Sequence, residues 1–112
     1  MLRTGATTLS VYSVLVIDMF HHDAENETIV RGFPTVEMAT EYARRRTRDS
    51  VEELRRPSQS SRTLREQWLR FGEDCCVIGE AYCGVSEIDY FVSHPATREE
   101  RDWQVIEATL DH

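Results

Sequence analysis

One segment near the start of the chain constrains the fold more than any other. Residues 10–20 are largely β-branched or aromatic, and apolar side chains occupy both alternating positions of residues 14–17. Successive side chains of a strand point to opposite faces of a sheet, so apolar residues at both positions indicate a strand covered on both sides. The segment therefore predicts a strand at the centre of a sheet.

The next segments predict a returning strand and then a long helix. Polar residues 21–27 precede residues 28–33, which have the composition of a strand that completes a hairpin. Thr35 is suited to cap a helix, and the apolar stripe that follows it includes Tyr42. We expect one continuous helix as far as Arg56.

A second helix and a third strand are predicted after a short linker. Leu64, Trp68 and Phe71 recur at helical spacing, and Gly72 stands where that helix would end. Residues 74–82 contain a short apolar run that is typical of a strand. The predicted order of elements up to this point is therefore two strands, two helices and a third strand.

Residues 85–92 fit two different structures. Ile88, Tyr90 and Val92 alternate as in a strand, whereas Ile88 and Phe91 have the spacing of a helix. We favour a strand for this segment. It would be the fourth strand of the sheet.

The chain is predicted to end in a helix. Thr97 and Glu100 have the spacing of a capping box, in which each side chain binds the backbone amide of the other residue. Trp103, Ile106 and Leu110 then recur on one helical face. The final helix is therefore expected to begin directly after Thr97.

Together these segments predict an α+β fold in which residues 9–112 form a single domain. The sheet has three to four antiparallel strands, the elements follow the order β-β-α-α-β-(β)-α, and the helices lie on one face. Residues 1–8 are expected to be a disordered N-terminal segment. The predicted core consists of the large apolar residues, namely residues 14–17, Phe33, Tyr42, Trp68, Phe71 and Trp103.

A sheet with helices on one face leaves its other face open. We expect that open face to carry Tyr12, Val14, Val16 and Phe20. Exposed apolar surfaces of this kind are usually covered, and a two-fold copy of the same chain is the simplest cover. The sequence therefore predicts a homodimer through the sheet.

Charge is distributed unevenly along the chain. All 13 basic residues are arginine, which excludes chemistry that depends on a lysine amine. The net charge of −7 divides into −4 for residues 1–43, +5 for residues 44–70 and −8 for residues 71–112. The basic middle of the chain coincides with the two predicted helices.

The basic segment 44–56 has two interpretations. Its guanidinium groups suit phosphates or carboxylates, so a nucleic acid or another anion is a candidate ligand. Acidic residues four positions away favour the other interpretation, an ion-paired surface in contact with solvent. The candidate binding residues are Arg44, Arg45, Arg46, Arg48 and Arg55.

The three cysteines do not have the pattern of a disulfide framework. Cys75 and Cys76 would point to opposite sides of a strand, and Cys83 would lie about 26 Å from Cys75 along an extended segment. We therefore expect buried, unreacted thiols and a cytoplasmic location. If Gly84 turns a hairpin, Cys83 would instead lie at its tip, exposed and oxidisable. No segment is predicted to cross a membrane or to act as a signal peptide.

A metal site near residue 20 is not predicted, although the residue types are suitable. His21 and His22 would point to opposite faces of a strand, and Asp18 would lie about 13 Å from His22. No nucleophile elbow or glycine-rich phosphate loop is present in the sequence. We predict no metal, no cofactor and no catalytic residue.

These observations favour a small interaction or regulatory module that acts as a homodimer, without catalysis and with another protein as a further partner. The first alternative is a nucleic-acid or anion-binding protein that uses the arginine-rich helix 44–56. The second alternative is a small enzyme whose cleft would contain Asp18, His21, His22 and Cys83.

Overall fold

The computed structural model describes residues 11–21 and 26–110, and the sheet in this part of the chain has three antiparallel strands. They are β1 (Tyr12–Asp18), β2 (Glu27–Phe33) and β3 (Glu73–Val77), in the spatial order β2-β1-β3. The α+β class and the central position of the first strand are confirmed. The predicted disordered segment, residues 1–8, lies outside the described residues, as do His22 to Glu25.

Four α-helices accompany the sheet in the described residues. They are α1 (Val36–Leu54), α2 (Ser61–Phe71), α3 (Ile88–Ser93) and α4 (Gln104–Thr109), and two short 3-10 turns lie at Gly84–Glu87 and Glu99–Arg101. No helix in the described part of the chain combines the length and the apolar composition needed to traverse a bilayer.

The start of α1 and the end of α2 follow the predicted signals at Thr35 and Gly72. The hydroxyl oxygens of Thr35 and Ser60 each accept a hydrogen bond from an amide three residues later. The first helix is continuous, as expected, but it ends at Leu54 rather than at Arg56. Gly72 ends α2, and a side chain at that position would overlap the indole ring of Trp68.

The strand favoured for residues 85–92 is wrong. Ile88, Phe91 and Val92 are buried while Tyr90 is exposed, which is the pattern of a helix. Burial against α1 and α2, rather than pairing with the sheet, therefore decides the structure here. The contacts with β3 come from the start of this region and the residues before it: Cys83 is bridged to Cys76, and the Val85 amide donates to Asp74.

The last helix begins later than predicted. The Thr97 and Glu100 side chains do bind each other's backbone amides, so the capping box forms. One 3-10 turn follows, and α4 then begins at Gln104. Arg101 and Trp103 both bind the carboxylate of Asp49 on α1, and these contacts hold the chain against α1 at the point where a helix was expected to continue.

The core forms two clusters that α1 connects. One cluster lies between the sheet and α1, and half-buried residues of α4, with Trp103, pack against it; its buried members are Val14, Val16, Phe33, Ala39, Tyr42, Ala43, Cys75 and Val77. The other lies between the C-terminal half of α1 and the helices α2 and α3; its members are Val51, Leu64, Trp68, Ile88, Phe91 and Val92. The prediction that Phe71 is a core residue is wrong, because it is 44% exposed.

The face of β1 that was predicted to be open is the face that the helices cover. Val14 and Val16 are buried in the cluster beneath α1, and Tyr12 packs against the same cluster. The helix-covered face therefore takes these residues, and Leu15 and Ile17 point to the opposite face. Apolar residues at both positions predicted two covered faces, but composition alone could not show which set faces the helices.

Gly84 allows a close approach between α1 and the segment after β3. A methyl group at this position would overlap the buried side chain of Thr47, whose hydroxyl oxygen accepts a hydrogen bond from the Cys75 amide. We expect Gly84→Ala to lower the free energy of unfolding by about 1–3 kcal/mol, the usual cost of overpacking. Urea denaturation measures it, with Glu80→Ala in the neighbouring exposed turn as the control. Equal midpoints for the two variants would contradict this packing.

Candidate functional site

Arg44 and Arg45 lie in the middle of α1 and both bind Glu41 at the preceding turn. Arg44 also donates from Nε to Glu87, 2.8 Å away. Arg45 donates from Nη1 to the carbonyl oxygen of Asp102. Both guanidinium groups therefore connect α1 to the acidic C-terminal part of the chain.

Arg46 has two polar partners and one aromatic contact. Its Cζ atom lies 4.2 Å from the centre of a Trp103 ring, and it donates to the Glu73 carboxylate and the Tyr42 hydroxyl. Burial opposes the charge, but the hydrogen bond and the charge of Glu73 outweigh it and raise the pKa of Arg46 above its usual range. Arg46 is a fixed cation that helps to hold the end of the sheet against α1.

Arg48 is buried, with 6% of its surface exposed. It donates from Nη2 to the carbonyl oxygen of His94, and its Nη1 lies 3.6 Å from a carboxylate oxygen of Glu100. The guanidinium group also contacts the rings of Tyr90 and Phe91 on α3. This arginine is enclosed by the chain on several sides.

Arg55 follows the last turn of α1 and joins it to α3. It donates from Nε and Nη2 to the two carboxylate oxygens of Glu52, at 2.8 and 2.9 Å. It also donates to the carbonyl oxygens of Phe91 and Val92 at the end of α3. Glu52 in turn accepts the amide of Ala96, so the ion pair organises three segments.

The five arginines predicted to bind a ligand therefore share one kind of environment. Each donates to a carboxylate, carbonyl or hydroxyl group, and each reaches an element other than α1. Of the ion pairs expected at i,i+4 spacing, Glu41–Arg45 and Arg62–Glu66 are present. This geometry favours the ion-paired interpretation, and a binding role for the five residues stays a prediction.

The cysteines differ from the sequence expectation. The structure joins Cys76 of β3 to Cys83 in a disulfide, with their Cα atoms 4.0 Å apart. Gly79, at φ +86°, contributes to a turn that returns the chain along the edge of β3, so the extended segment assumed from the sequence does not exist. The expectation of three unreacted thiols is wrong, and it no longer supports a cytoplasmic location. Cys75 is the free cysteine of the described residues, and burial raises its pKa to about 12.

Asp74 lies beside the disulfide and is almost completely buried. Its Oδ1 atom accepts the amide of Val85 at 2.9 Å, and its Oδ2 atom lies 4.0 Å from the sulfur of Cys76. Burial raises the pKa of Asp74, while backbone hydrogen bonds from Val85, Cys75 and Gly84 act in the opposite direction. Ligand atoms of Asp74, Cys76 and Cys83 all lie within 4.8 Å of one another.

A second set of polar contacts holds the loop that carries Cys83 against α1. The Tyr82 hydroxyl donates to Glu87 at 2.7 Å, and Arg44 donates to the same carboxylate oxygen at 2.8 Å. Burial opposes ionisation of Glu87, but these two hydrogen bonds outweigh it and lower its pKa. The loop that carries Cys83 is therefore anchored by an ion pair as well as by the disulfide.

The cleft required by the enzyme alternative is not assembled from its described members. His21 binds Asp18 at 2.6 Å at the end of β1, where Asp18 is paired with Glu73. Cys83 is bound to Cys76, three residues further along β3; His22 is outside the described residues. A cavity of about 310 Å³ does lie beside Asp18, and its polar lining consists of Asp18, Arg46, Asp49, Ser50, Glu53 and Glu73.

Comparison with known proteins adds no family to this description. No protein-family model, no curated protein and no solved structure matches the chain. A proposal about its function therefore depends on its own residues and their geometry.

Proposed function

We propose that the chain is a non-catalytic interaction module that forms a homodimer through the open face of its sheet. The observation that supports this proposal is a row of side chains across that face. Ile29 of β2 is paired with Leu15 of β1, and Leu15 is paired with Cys76 of β3. Residues at the same position of neighbouring strands project from the same face, so the three form one continuous row.

The helices of the described residues lie elsewhere. Helices α1 and α4 contribute to the cluster on the Val14 and Val16 face, and α2 and α3 pack against the C-terminal half of α1. Ile29 is 43% exposed, and Ile78, just beyond β3, is exposed to a similar degree. Covering an apolar sheet face with exposed isoleucines stabilises the resulting complex, by roughly 25 cal/mol for each Å² of apolar surface that is buried.

A second copy of the chain is the partner that this surface fits directly. A two-fold interface brings the same patch of both protomers together, so Ile29 and Leu15 of one protomer meet the apolar side chains of the other. The acidic Glu27, paired with Ile17 at the margin of the row, would remain at the rim of such an interface.

The proposal predicts that one charge on the open face abolishes the dimer. We expect wild-type protein to sediment at equilibrium as a monomer–dimer mixture that shifts towards dimer with concentration, and Ile29→Glu to remain monomeric. Leu69→Glu is the matched control, because Leu69 lies on α2 and is also 43% exposed. A monomeric wild-type protein at every concentration, or a dimer that only Leu69→Glu disrupts, would overturn the proposal.

A further inference from the structure

We propose that opening the Cys76–Cys83 disulfide creates a zinc-binding site in which Asp74 is the third ligand. The three residues come from the edge of β3 and the segment bridged to it. One carboxylate and two thiolates are a ligand set that zinc accepts in tetrahedral geometry. This inference goes beyond the interaction role and does not depend on it.

The backbone already holds the three ligand atoms near one point. They lie within 4.8 Å of one another while the sulfurs are still bonded. Two thiolates that share a tetrahedral zinc ion are separated by roughly 3.8 Å, given zinc–sulfur bonds of about 2.3 Å. With Cα atoms 4.0 Å apart, the two cysteines face each other on adjacent segments, so side-chain rotation is enough to reach that separation.

Asp74 is oriented as metal-binding carboxylates usually are. Its Oδ1 atom is fixed by the amide of Val85 at 2.9 Å, which leaves Oδ2 directed towards Cys76 at 4.0 Å. A sulfur in a disulfide has no proton to donate, so this contact contributes little while the disulfide is intact. A hydrogen-bonded carboxylate beside two sulfurs is the arrangement in which an outer partner positions a ligand for its metal.

The site is also accessible and has a suitable charge. Cys76 and Cys83 are half-buried in the single chain, so a small reductant and a hydrated metal ion can reach the two sulfurs when the chain is monomeric. Two thiolates and one carboxylate carry three negative charges, which a divalent cation largely neutralises. The fourth position of the tetrahedron is left for water.

A dithiol is one reductant that can open the disulfide. One thiolate of a dithiol attacks one sulfur of the pair and forms a mixed disulfide, which releases the other cysteine as a thiolate. The second thiol of the reductant then displaces the protein, so the reductant leaves as a cyclic disulfide and two electrons pass to the cysteines. Zinc binding to the two thiols releases two protons.

The test is a metal titration of the reduced 112-residue chain without oxygen. A water-soluble phosphine is the reductant in this assay, because it takes up the disulfide's oxidising equivalent as phosphine oxide and, unlike a thiol, competes weakly for metal. We expect Co²⁺ to produce a near-ultraviolet sulfur-to-cobalt absorption band, and stoichiometric Zn²⁺ to remove that band. The oxidised protein is expected to show no band.

Three variants locate the site. Cys83→Ser should abolish the cobalt band, and Asp74→Asn should weaken zinc binding by at least about tenfold. Cys75→Ala, which removes the buried third cysteine, should bind as wild type does. Circular dichroism verifies that each variant is folded. Reduced wild-type protein that is monomeric and still lacks the band, or a Cys83→Ser variant that binds equally well, would overturn the zinc site.

Discussion

Replacing Trp68 with alanine is expected to lower the free energy of unfolding by about 3–5 kcal/mol, the usual cost of removing a buried tryptophan. The ring is fully buried at the centre of the second core cluster. Its Nε1–H group donates to the hydroxyl of Ser50 at 2.9 Å, and the same hydroxyl accepts the amide of Glu73 at 3.2 Å. The indole therefore supports a junction between α1, α2 and β3 in addition to filling space.

Urea denaturation followed by far-ultraviolet circular dichroism measures this loss. Trp68→Phe is the matched control, since it retains most of the ring volume and removes the N–H donor. We expect it to cost about 1–2 kcal/mol, in line with one buried hydrogen bond and a small change of volume. A Trp68→Ala midpoint equal to that of wild type would show that the second cluster does not stabilise the fold.

The second large effect is expected at Arg55. Its partner Glu52 has a side chain that is only 7% exposed, so removal of the guanidinium leaves a buried carboxylate without its cation. Breaking a buried ion pair from one side costs about 3–5 kcal/mol, and we expect Arg55→Ala to reach the lower end because Arg55 itself is 24% exposed. The carbonyl oxygens of Phe91 and Val92 lose their donor in the same variant.

Arg56 provides a matched control one residue away. It is exposed, and its guanidinium donates to the carbonyl oxygens of Glu53 and Arg55 at the C-terminal end of α1. We expect Arg56→Ala to change the free energy of unfolding by less than about 0.5 kcal/mol. Thermal unfolding of both variants separates the two roles of the basic segment, because a free binding surface would tolerate both substitutions equally.

Local sequence signals predicted most of the elements. The cap at Thr35 and the stop at Gly72 depend on contacts with residues nearby in sequence, so local signals located the start of α1 and the end of α2. Residues 85–92 were assigned wrongly because their alternating apolar pattern is also compatible with a helix, and contacts with α1 and α2 decide between the two. The chain before α4 is likewise held by a residue distant in sequence, because Arg101 and Trp103 bind Asp49 of α1.

The candidate sites were harder to predict, because their partners are distant in sequence. Glu73 and Glu87 bind Arg46 and Arg44 from elements that no helical spacing connects to α1. The pairing of Cys76 with Cys83 depends on a turn after β3, whereas the sequence predicts an extended segment there. A glycine between two cysteines seven residues apart was the one signal that pointed to such a turn.

The methyl groups on the open face of the sheet report directly on whether a second copy of the chain covers that face. The measurement is paramagnetic relaxation of methyl signals by a soluble gadolinium chelate, recorded at low and high protein concentration. At high concentration we predict that Leu15, Ile17 and Ile29 become protected, while Leu69 and Val105 stay equally accessible. If the relaxation of the Leu15, Ile17 and Ile29 methyl groups is the same at low and high concentration, as it is for Leu69 and Val105, the homodimer is contradicted.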